Sequence, residues 1–228
     1  MSGLPHHIGY IVDGNRRWAA ERGWSASRGH TAGYKVLKSM LFETIEAGVP
    51  YVSAYVFSTE NWSRSKQEVD WLMNLLVRVL KHDLHEIIQR GIRVRVLGSR
   101  EELSQVVQTA IEHAEAATKD LRKGQALLCI NYGGKQEIAD ALTKIMQQKT
   151  EVERVTPELI EQCLYTPDVP PCDIIVRTSG EQRLSNFMLW RSAYSELIFL
   201  DKPWPEMTKS DITGILQTYE QRNRRFGG

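Results

Sequence analysis

Short apolar runs alternate with longer amphipathic stretches along the whole chain, and this alternation limits the fold more than any other feature. The apolar runs have the length of buried β-strands. They cover residues 8–12, 51–57, 92–97, 126–131, 173–177 and 196–200. Because strands that alternate with helices form parallel sheets covered by helices, we predict an α/β fold with a mainly parallel central sheet of about six strands.

Helical periodicity is clearest between these runs. Val36, Leu37, Met40, Leu41 and Ile45 share one stripe, and Gly48 closes that helix. Further helices are expected over 72–88, 101–121, 136–147 and 208–222. The sequence has no internal repeat or low-complexity linker, and the polar stretch 147–155 is interpreted as a surface loop. We therefore expect a single domain over residues 1–228.

Polar side chains stand directly after several of the predicted strands. In open parallel sheets, ligands bind beyond the carboxyl ends of the strands. The residues at these positions are Asp13, Asn15, Ser58, Glu60, Asn61, Asn131, Arg177 and Thr178. Their coincidence predicts one site assembled from several loops.

The first of these loops is the segment 13–18, Asp-Gly-Asn-Arg-Arg-Trp. A carboxylate can hold a hard divalent cation, and arginines bind phosphate oxygens bidentately, so the segment indicates a metal-bound polyphosphate. Taken alone, Asp13-Gly14 is an ordinary turn. Hydrolases with a nucleophilic aspartate need a second aspartate where this chain has Asn15, and no Walker A or GxGxxG motif is present.

Two further segments allow a structural and a functional interpretation. Residues 28–33 precede the first long helix, where backbone amides attract phosphate, but a solvated loop with Thr31 as N-cap fits equally well. Residues 58–64 mix polar, aromatic and basic side chains beyond a buried strand. There Trp62 could be plain core, and Ser65-x-x-Glu68 favours a helix-capping role for Glu68.

The last segment, 173–187, is the densest in polar groups. Arg177 and Arg183 flank a Ser-Gly turn, and Ser185 adds a hydroxyl. Arg177 ends an apolar strand, where it would be a poorly paired charge without an anionic partner. The segment therefore predicts a second anion site.

Taken in order, six motifs resemble those of the cis-prenyltransferases, the family of undecaprenyl diphosphate synthase. They run from residue 6 to the C-terminus, and each is weak alone. The motifs are His7-Ile8 with Asp13-Gly-Asn-x-Arg17-Trp18-Ala19, Gly29-His30-x-x-Gly33, Ser58-x-Glu60-Asn61-Trp62-x-Arg64, Asn131-Tyr-Gly-Gly134, Arg177-Thr-x-Gly-Glu181-x-Arg183-x-Ser185-Asn186-Phe187 and Tyr194-x-Glu196-Leu197.

The resemblance implies an enzyme that condenses isopentenyl diphosphate with an allylic diphosphate, such as farnesyl or geranyl diphosphate, to give a Z-polyprenyl diphosphate. It implies dependence on Mg2+, a homodimer, and an apolar tunnel for the product. The natural tunnel wall is the apolar helix that carries Leu72, Leu75, Leu76, Val79 and Leu80. Peripheral contact with a membrane for lipid release belongs to the same expectation.

The resemblance also assigns roles to individual residues. Asp13 resembles the catalytic and Mg2+-binding aspartate, and Glu196 resembles a second metal ligand that acts from the dimer partner or nearby. The expected catalytic residues are Asp13, Asn15, His30, Ser58 and Asn61; the proton path could use Asp13, Asn15, His30, Ser58 or the diphosphate. Allylic diphosphate would meet Gly14, Asn15, Arg17, Trp18, Arg28, Gly29 and His30. The reaction centre would be lined by Ser58, Thr59, Glu60, Asn61, Trp62 and Arg64. Isopentenyl diphosphate would be held by Arg177, Arg183 and Ser185, and the tail residues Arg225 and Gly227 would reach a neighbouring subunit's site.

Four positions bear on how this chain differs from its relatives. Ala26 stands where many relatives carry an arginine, for which Arg28 could substitute, and Lys135 replaces an arginine after Asn-Tyr-Gly-Gly. Arg78 interrupts the apolar helix and either faces solvent or limits the tunnel. Relatives that make very long chains are extended between Glu68 and residue 92, and this chain has no insertion there, so we expect a short to medium product. The resemblance places Val56 where side-chain bulk limits chain growth, and its middling size does not indicate a particular length.

Composition excludes several other classes. A net charge of +1 argues against general nucleic-acid binding, so an anion site must be local. The three cysteines show no CxxC spacing, and the N-terminus lacks a signal-peptide pattern, so a reducing cytoplasm is expected. Three interpretations stay open: a chain-elongating enzyme, a relative that makes a short, branched or cyclised product, and a non-catalytic partner subunit.

Overall fold

Six parallel strands form one sheet in the computed structural model, which describes residues 3–148 and 154–222. The strands are β1 (His7–Ile11), β2 (Tyr51–Ser58), β3 (Ile92–Leu97), β4 (Gly124–Tyr132), β5 (Ile174–Arg177) and β6 (Glu196–Phe199). Their order across the sheet is β3-β4-β2-β1-β5-β6. The predicted α/β class and the parallel six-stranded sheet are confirmed.

Helices cover both faces of the sheet. They are α1 (Asn15–Ala20), α2 (Ala26–Glu46), α3 (Lys66–His82), α4 (Leu84–Gln89), α5 (Gln105–Thr118), α6 (Gly134–Gln148), α7 (Pro157–Cys163) and α8 (Lys209–Gln221). Two short 3-10 turns, Thr59–Ser63 and Trp204–Glu206, complete the ordered elements of the described chain. Within those described residues, none of the helices combines the length and apolarity that crossing a bilayer requires.

Helix α2 begins earlier than the sequence indicated, because the residues interpreted as a loop are helical. Ser25 is its N-cap, and the Ser25 hydroxyl accepts a hydrogen bond from the Arg28 amide. Thr31 is therefore not the N-cap; its hydroxyl donates to the Ser27 carbonyl inside the helix. The expected phosphate-binding helix N-terminus at residues 28–33 is wrong for the same reason. The C-terminal end is as predicted, since Gly48 adopts φ +100°, which glycine tolerates.

The predicted helix over 72–88 is two helices that meet at Asp83. Aspartate favours helix ends over interiors, and here Lys38 of α2 holds its carboxylate at 3.0 Å. At the other end, Ser65 caps α3 by accepting from the Glu68 amide, which confirms the capping position. The Glu68 carboxylate has other partners, described below.

The sheet is buried on both faces, as its apolar strands require. One core packs α2, α3, α5 and α8 against residues such as Val52, Ala54 and Val94. The opposite core contains Tyr55, Leu127 and Phe187. Because the chain runs from β1 to β2 on one side and β5 lies on the other, the strand order reverses at β1. The carboxyl ends of β1, β2 and β5 therefore meet at the position where such sheets bind ligands.

Candidate active site

Asp13 and Arg177 meet at the carboxyl ends of the neighbouring strands β1 and β5. The Arg177 guanidinium donates to Asp13 Oδ2 at 2.8 Å, to Ser185 Oγ at 2.7 Å and to the Arg183 carbonyl at 2.6 Å. The Arg177 side chain is only 5% exposed, and its Nε–H has no hydrogen-bond partner among the described residues. Three fixed contacts hold one face of this cation, so its position is set before any anion arrives.

The loop after β5 is shaped by residues with positive φ. Ser179, Ser185, Asn186 and Met188 all adopt φ between 45° and 76°, a region that non-glycine residues rarely occupy. Such backbone conformations persist where the surroundings hold them, and they concentrate at functional sites. Here they turn the Ser185 hydroxyl toward Arg177.

Asn186 ties this loop to two other elements, although it is not among the site residues expected from the sequence. Its side-chain Nδ2–H donates to Glu60 Oε1 at 2.9 Å, and its Oδ1 accepts from the Lys135 amide at 2.9 Å. Its carbonyl also accepts from the Gly134 amide at 2.7 Å. The only sequence signal for this role was its place directly after Ser185 in the final motif.

These residues surround a polar cavity of about 620 Å3. Its charged and polar lining comes from five separate chain segments and consists of Asp13, Ser58, Glu60, Asn61, Arg64, Lys135, Arg177, Ser185 and Asn186. Burial raises the pKa of Glu60, but hydrogen bonds led by that from Asn186 outweigh it and hold this pKa below its usual value. The cavity thus has carboxylates and three cations on its walls.

Two arginines share a carboxylate beside the cavity. Glu181 Oε1 accepts from Arg17 at 3.0 Å, and Glu181 Oε2 accepts from Arg183 at 2.5 Å. The hydrogen bond from Arg183, its charge and the contact with Arg17 lower the pKa of Glu181. Arg17 also lies 3.6 Å from Asp13 Oδ1. Glu181 therefore joins the two distant segments that were predicted to bind anions.

An apolar cavity of about 120 Å3 adjoins the polar one, and Val12 lines both. It lies between α2, α3 and the sheet. The residues proposed as the apolar wall all line it: Leu72, Leu75, Leu76, Val79 and Leu80. Val56, Asn15 and His30 also face this cavity.

His30 and Glu68 form a polar pair at the edge of this apolar cavity. His30 Nε2 lies 3.3 Å from Glu68 Oε1, which also accepts from Arg64 at 3.0 Å. Burial lowers the pKa of His30, so its imidazole is neutral near pH 7. Burial raises the pKa of Glu68, but its contacts with His30, Arg64 and Arg16 outweigh this and lower it. Glu68 therefore organises cations besides occupying the first turn of α3.

Asn15 packs against two glycines of α2. A side-chain Cβ at Gly33 would lie 2.0 Å from Asn15 Oδ1, and one at Gly29 would lie 2.2 Å from the Asn15 carbonyl. The Asn15 Oδ1 atom is buried, and no group within residues 3–148 and 154–222 donates a hydrogen bond to it. The Gly29-His30-x-x-Gly33 motif thus allows α1 to approach α2 closely and leaves room for the Asn15 side chain against Gly33.

Several predicted site residues have other surroundings. Trp62 donates to Asn131 Oδ1 at 2.8 Å and packs on Phe57, so it braces β2 against β4. Thr59 donates to Glu60. Gly14 has φ +100°, and a Cβ there would lie 2.6 Å from Ser179 Oγ.

Trp18 and Arg28 line a different surface, a groove outside α1 and α2.

Glu196 begins β6 level with Ile174, at the end of the sheet opposite Asp13, and pairs with Arg222 at 2.7 Å. In the described chain, Glu196 therefore does not meet Asp13. Arg225 and Gly227 lie outside the described residues.

The donor set can be compared with the needs of Mg2+. Among the described residues, no group of three or more His, Cys, Asp and Glu side chains is arranged to hold a metal. Mg2+ commonly binds through one or two carboxylates together with substrate phosphates and waters. Asp13 supplies one partly exposed carboxylate beside an arginine-lined cavity, which fits that shared mode and not an all-protein cage.

Comparisons with known proteins identify the family of this chain. Residues 11–227 match the family model described as "Putative undecaprenyl diphosphate synthase". The isoprenyl transferase of Thermotoga maritima is 43% identical, covering 99% of this chain and 97% of the relative. The trans,polycis-polyprenyl diphosphate synthase ((2Z,6E)-farnesyl diphosphate specific) of Thermobifida fusca is 42% identical, covering 99% of this chain and 81% of the relative. The crystal structure of lavandulyl diphosphate synthase from Lavandula x intermedia, in complex with dimethylallyl diphosphate, superposes with a TM-score of 0.95 at 31% identity over 99% of both chains.

Proposed function

Because the chain belongs to the undecaprenyl diphosphate synthase family of cis-prenyltransferases, we propose that it joins isopentenyl diphosphate to an allylic diphosphate through a new Z double bond. The observation that carries this proposal is the junction at Val12. There an arginine-lined polar cavity adjoins an apolar cavity, with Asp13 and Arg177 beside the junction. A diphosphate and a hydrocarbon chain need these two environments side by side.

The cations of the polar cavity stabilise the charge that develops as the allylic C–O bond breaks. Arg177 is held in place by Asp13 and Ser185, so it needs no reorganisation when negative charge appears on the diphosphate. Arg17 and Arg183, joined through Glu181, supply two further guanidiniums at the same edge. When bound beside Asp13, Mg2+ would neutralise diphosphate charge as a Lewis acid.

The apolar cavity holds the hydrocarbon part of the allylic substrate and excludes water from the cationic carbon. Isopentenyl diphosphate then attacks through its terminal alkene carbon, and a proton leaves from the new carbon chain. His30 is neutral near pH 7 and faces this cavity, and Asn15 also lines it. His30 is suited to receive or relay that proton, and the Asn15 amide is suited to orient the groups that do.

The remaining parts of the proposal concern assembly and location. We expect a cytoplasmic homodimer in which Glu196, Arg225 and Gly227 act across the subunit interface. The position of Glu196 at the opposite end of its own sheet supports a role in a neighbouring site over one in its own. Release of a polyprenyl product would bring the protein to a membrane.

A second candidate is a short, branched or cyclised product made at the same site. The likeness to the lavandulyl diphosphate synthase structure favours it, while the Thermobifida fusca relative favours elongation. A non-catalytic partner subunit is disfavoured. Such a subunit would not need Asp13 or the contacts of Arg177, and this chain keeps both.

The test is incubation of the purified protein with labelled isopentenyl diphosphate, Mg2+ and, separately, dimethylallyl, geranyl and farnesyl diphosphates. Sizing the extracted products distinguishes a polyprenyl series from a single short product. Omission of Mg2+ is the matched control and should stop incorporation. Absence of label in any product with all three starters would contradict both enzymatic proposals.

A further inference from the structure

A groove on the outer side of α1, α2 and α3 carries tryptophans and cations that the proposed chemistry leaves unexplained. It encloses about 530 Å3. Its walls include three indole rings and three basic side chains: Trp18, Trp24, Trp71, Arg28, Lys35 and Arg78. We call these six residues the tryptophan groove.

The three cations of the groove have no acidic partner in the described parts of the chain. Arg28, Lys35 and Arg78 are exposed, and none makes an ion pair there within 4.0 Å. The carboxylate of Glu206, which accepts from Trp18, is already paired with Arg22 at 2.8 Å. Since the whole chain has a net charge of only +1, this is a local positive surface and not a general basic character.

Two of the three tryptophans of the groove pack together, and the third, Trp71, lies beside His30. Trp18 and Trp24 meet edge to face with ring centroids 5.3 Å apart, and the Arg28 guanidinium lies 3.7 Å from the Trp24 centroid. Trp24 remains 36% exposed. Indole has an apolar body and a polar N–H, so exposed tryptophans beside cations suit the interface between a bilayer and water.

The position of the groove relates it to the apolar cavity. Arg28 and Lys35 lie two turns apart on one face of α2, as do Trp71 and Arg78 on α3. The opposite faces of the same helices line the apolar cavity. Arg78 therefore faces outward and does not block that cavity. The two helices separate the groove from the space where the hydrocarbon chain is proposed to grow.

We propose that the tryptophan groove docks the protein on an anionic bilayer, with its cations on headgroup phosphates and its indoles in the interfacial region. Charge complementarity identifies the partner as anionic. A single-stranded nucleic acid also matches aromatic and basic groups, but it gives no reason for the groove to share helices with an apolar cavity. The inference rests on the proposed function only through the lipid nature of the product.

The test is flotation of the full chain, without substrates, on vesicles of phosphatidylcholine with about one-third phosphatidylglycerol, compared with phosphatidylcholine alone. The double variant Lys35→Gln/Arg78→Gln should lower partitioning onto the anionic vesicles by roughly 10- to 30-fold. The variant Lys119→Gln/Lys144→Gln has the same charge change at exposed positions away from the groove and should bind like the unmodified protein.

Further measurements test whether the groove binds the anionic bilayer itself. High salt screens the Coulombic attraction and should weaken binding, and Trp24→Ser should lower binding to anionic vesicles. Equal partitioning of the two double variants, or failure of the unmodified protein to bind vesicles, would overturn the proposal. So would displacement from vesicles by millimolar inorganic phosphate or tighter binding to a single-stranded oligonucleotide.

These outcomes are independent of the catalytic proposal. Lys35 and Arg78 lie outside the residues assigned to substrates, so Lys35→Gln/Arg78→Gln should keep normal turnover with soluble substrates. Loss of vesicle binding with retained turnover supports the docking surface, whereas an inactive unmodified protein that still binds vesicles contradicts only the transferase proposal.

Discussion

At the scale of single residues, Asp13 is the most sensitive position. Its carboxylate is the proposed metal ligand and also the partner of the buried Arg177. Asp13→Ala should nearly abolish turnover while the fold persists, and Asp13→Asn should lower kcat at least about 100-fold although it keeps a hydrogen-bond acceptor for Arg177. Steady-state kinetics and circular dichroism measure the two effects.

The matched control for Asp13 is Asp70→Ala. Asp70 is an exposed carboxylate that pairs with Lys66 on the surface of α3, and surface pairs contribute little. This variant should retain normal kcat. Near-normal kcat in Asp13→Asn would refute the role given to the Asp13 charge.

His7 makes stability depend on pH. It is fully buried, its Nδ1 lies 2.8 Å from the Pro170 carbonyl, and its Nε2 lies 2.6 Å from Ser53 Oγ. Burial lowers the pKa of His7 to about 4. The unfolded chain, with a pKa of about 6.5, therefore binds more protons than the folded one between these values, and stability falls as the pH falls.

We expect His7 to account for a loss of about 2 kcal/mol in the free energy of unfolding between pH ~7.5 and pH ~5. Urea titrations at both pH values measure this loss. His7→Gln keeps a side chain that can donate and accept hydrogen bonds but cannot titrate. The free energy of unfolding of this variant should therefore fall by about 2 kcal/mol less over the same pH range. An unchanged pH dependence in His7→Gln would show that other groups cause it.

At the scale of elements, the close approach of α1 to α2 depends on Gly33. Both glycines of the motif lie in helical backbone, so their function is to leave space for Asn15. Gly33→Ala should displace the Asn15 side chain and lower kcat roughly tenfold or more, because a small misplacement of a catalytic group has a large effect on rate. Gly214→Ala in α8 meets open space and should stabilise the fold by up to about 1 kcal/mol with unchanged kcat. Wild-type kcat in Gly33→Ala would exclude a catalytic requirement for the position of Asn15.

The same glycines explain which elements the sequence could predict. The strands were located within one or two residues, because their apolar runs are continuous and end at polar residues. The start of α2 could not be predicted, because Gly29 and Gly33 are poor helix formers. Packing against α1 offsets the free energy that these glycines cost the helix. Helices α1 and α7 span six and seven residues, too few for a helical period to show.

At the scale of the whole molecule, the site depends on how distant segments meet. Asp13 and Arg177 could be paired from sequence, because polar residues after neighbouring parallel strands must lie at one edge. The contacts of Asn186 with Glu60, and of Glu181 with Arg17, could not, because they depend on loop conformations with positive φ. The position of Glu196 could not be predicted from the sequence either. Only the strand register of the structure shows that it lies at the end of the sheet opposite Asp13.

The apolar cavity between the helical layer and the sheet should control product length, and Val56 is the side chain that tests this. It projects from β2 into that cavity. If the growing chain occupies the cavity, Val56→Phe should shift the products toward shorter chains by filling space, and Val56→Ala should shift them toward longer ones. Chromatographic sizing of labelled products measures the shift.

The control for Val56 separates cavity shape from loss of stability. Val107 is buried in α5 and does not line the apolar cavity. Val107→Ala removes the same atoms as Val56→Ala and should also lower the melting temperature, because both leave a void in packed surroundings. Its product distribution should remain that of the unmodified protein. If all three variants give that same distribution, the hydrocarbon chain grows elsewhere, and the side-by-side arrangement of the two cavities would serve only to bind the allylic starter.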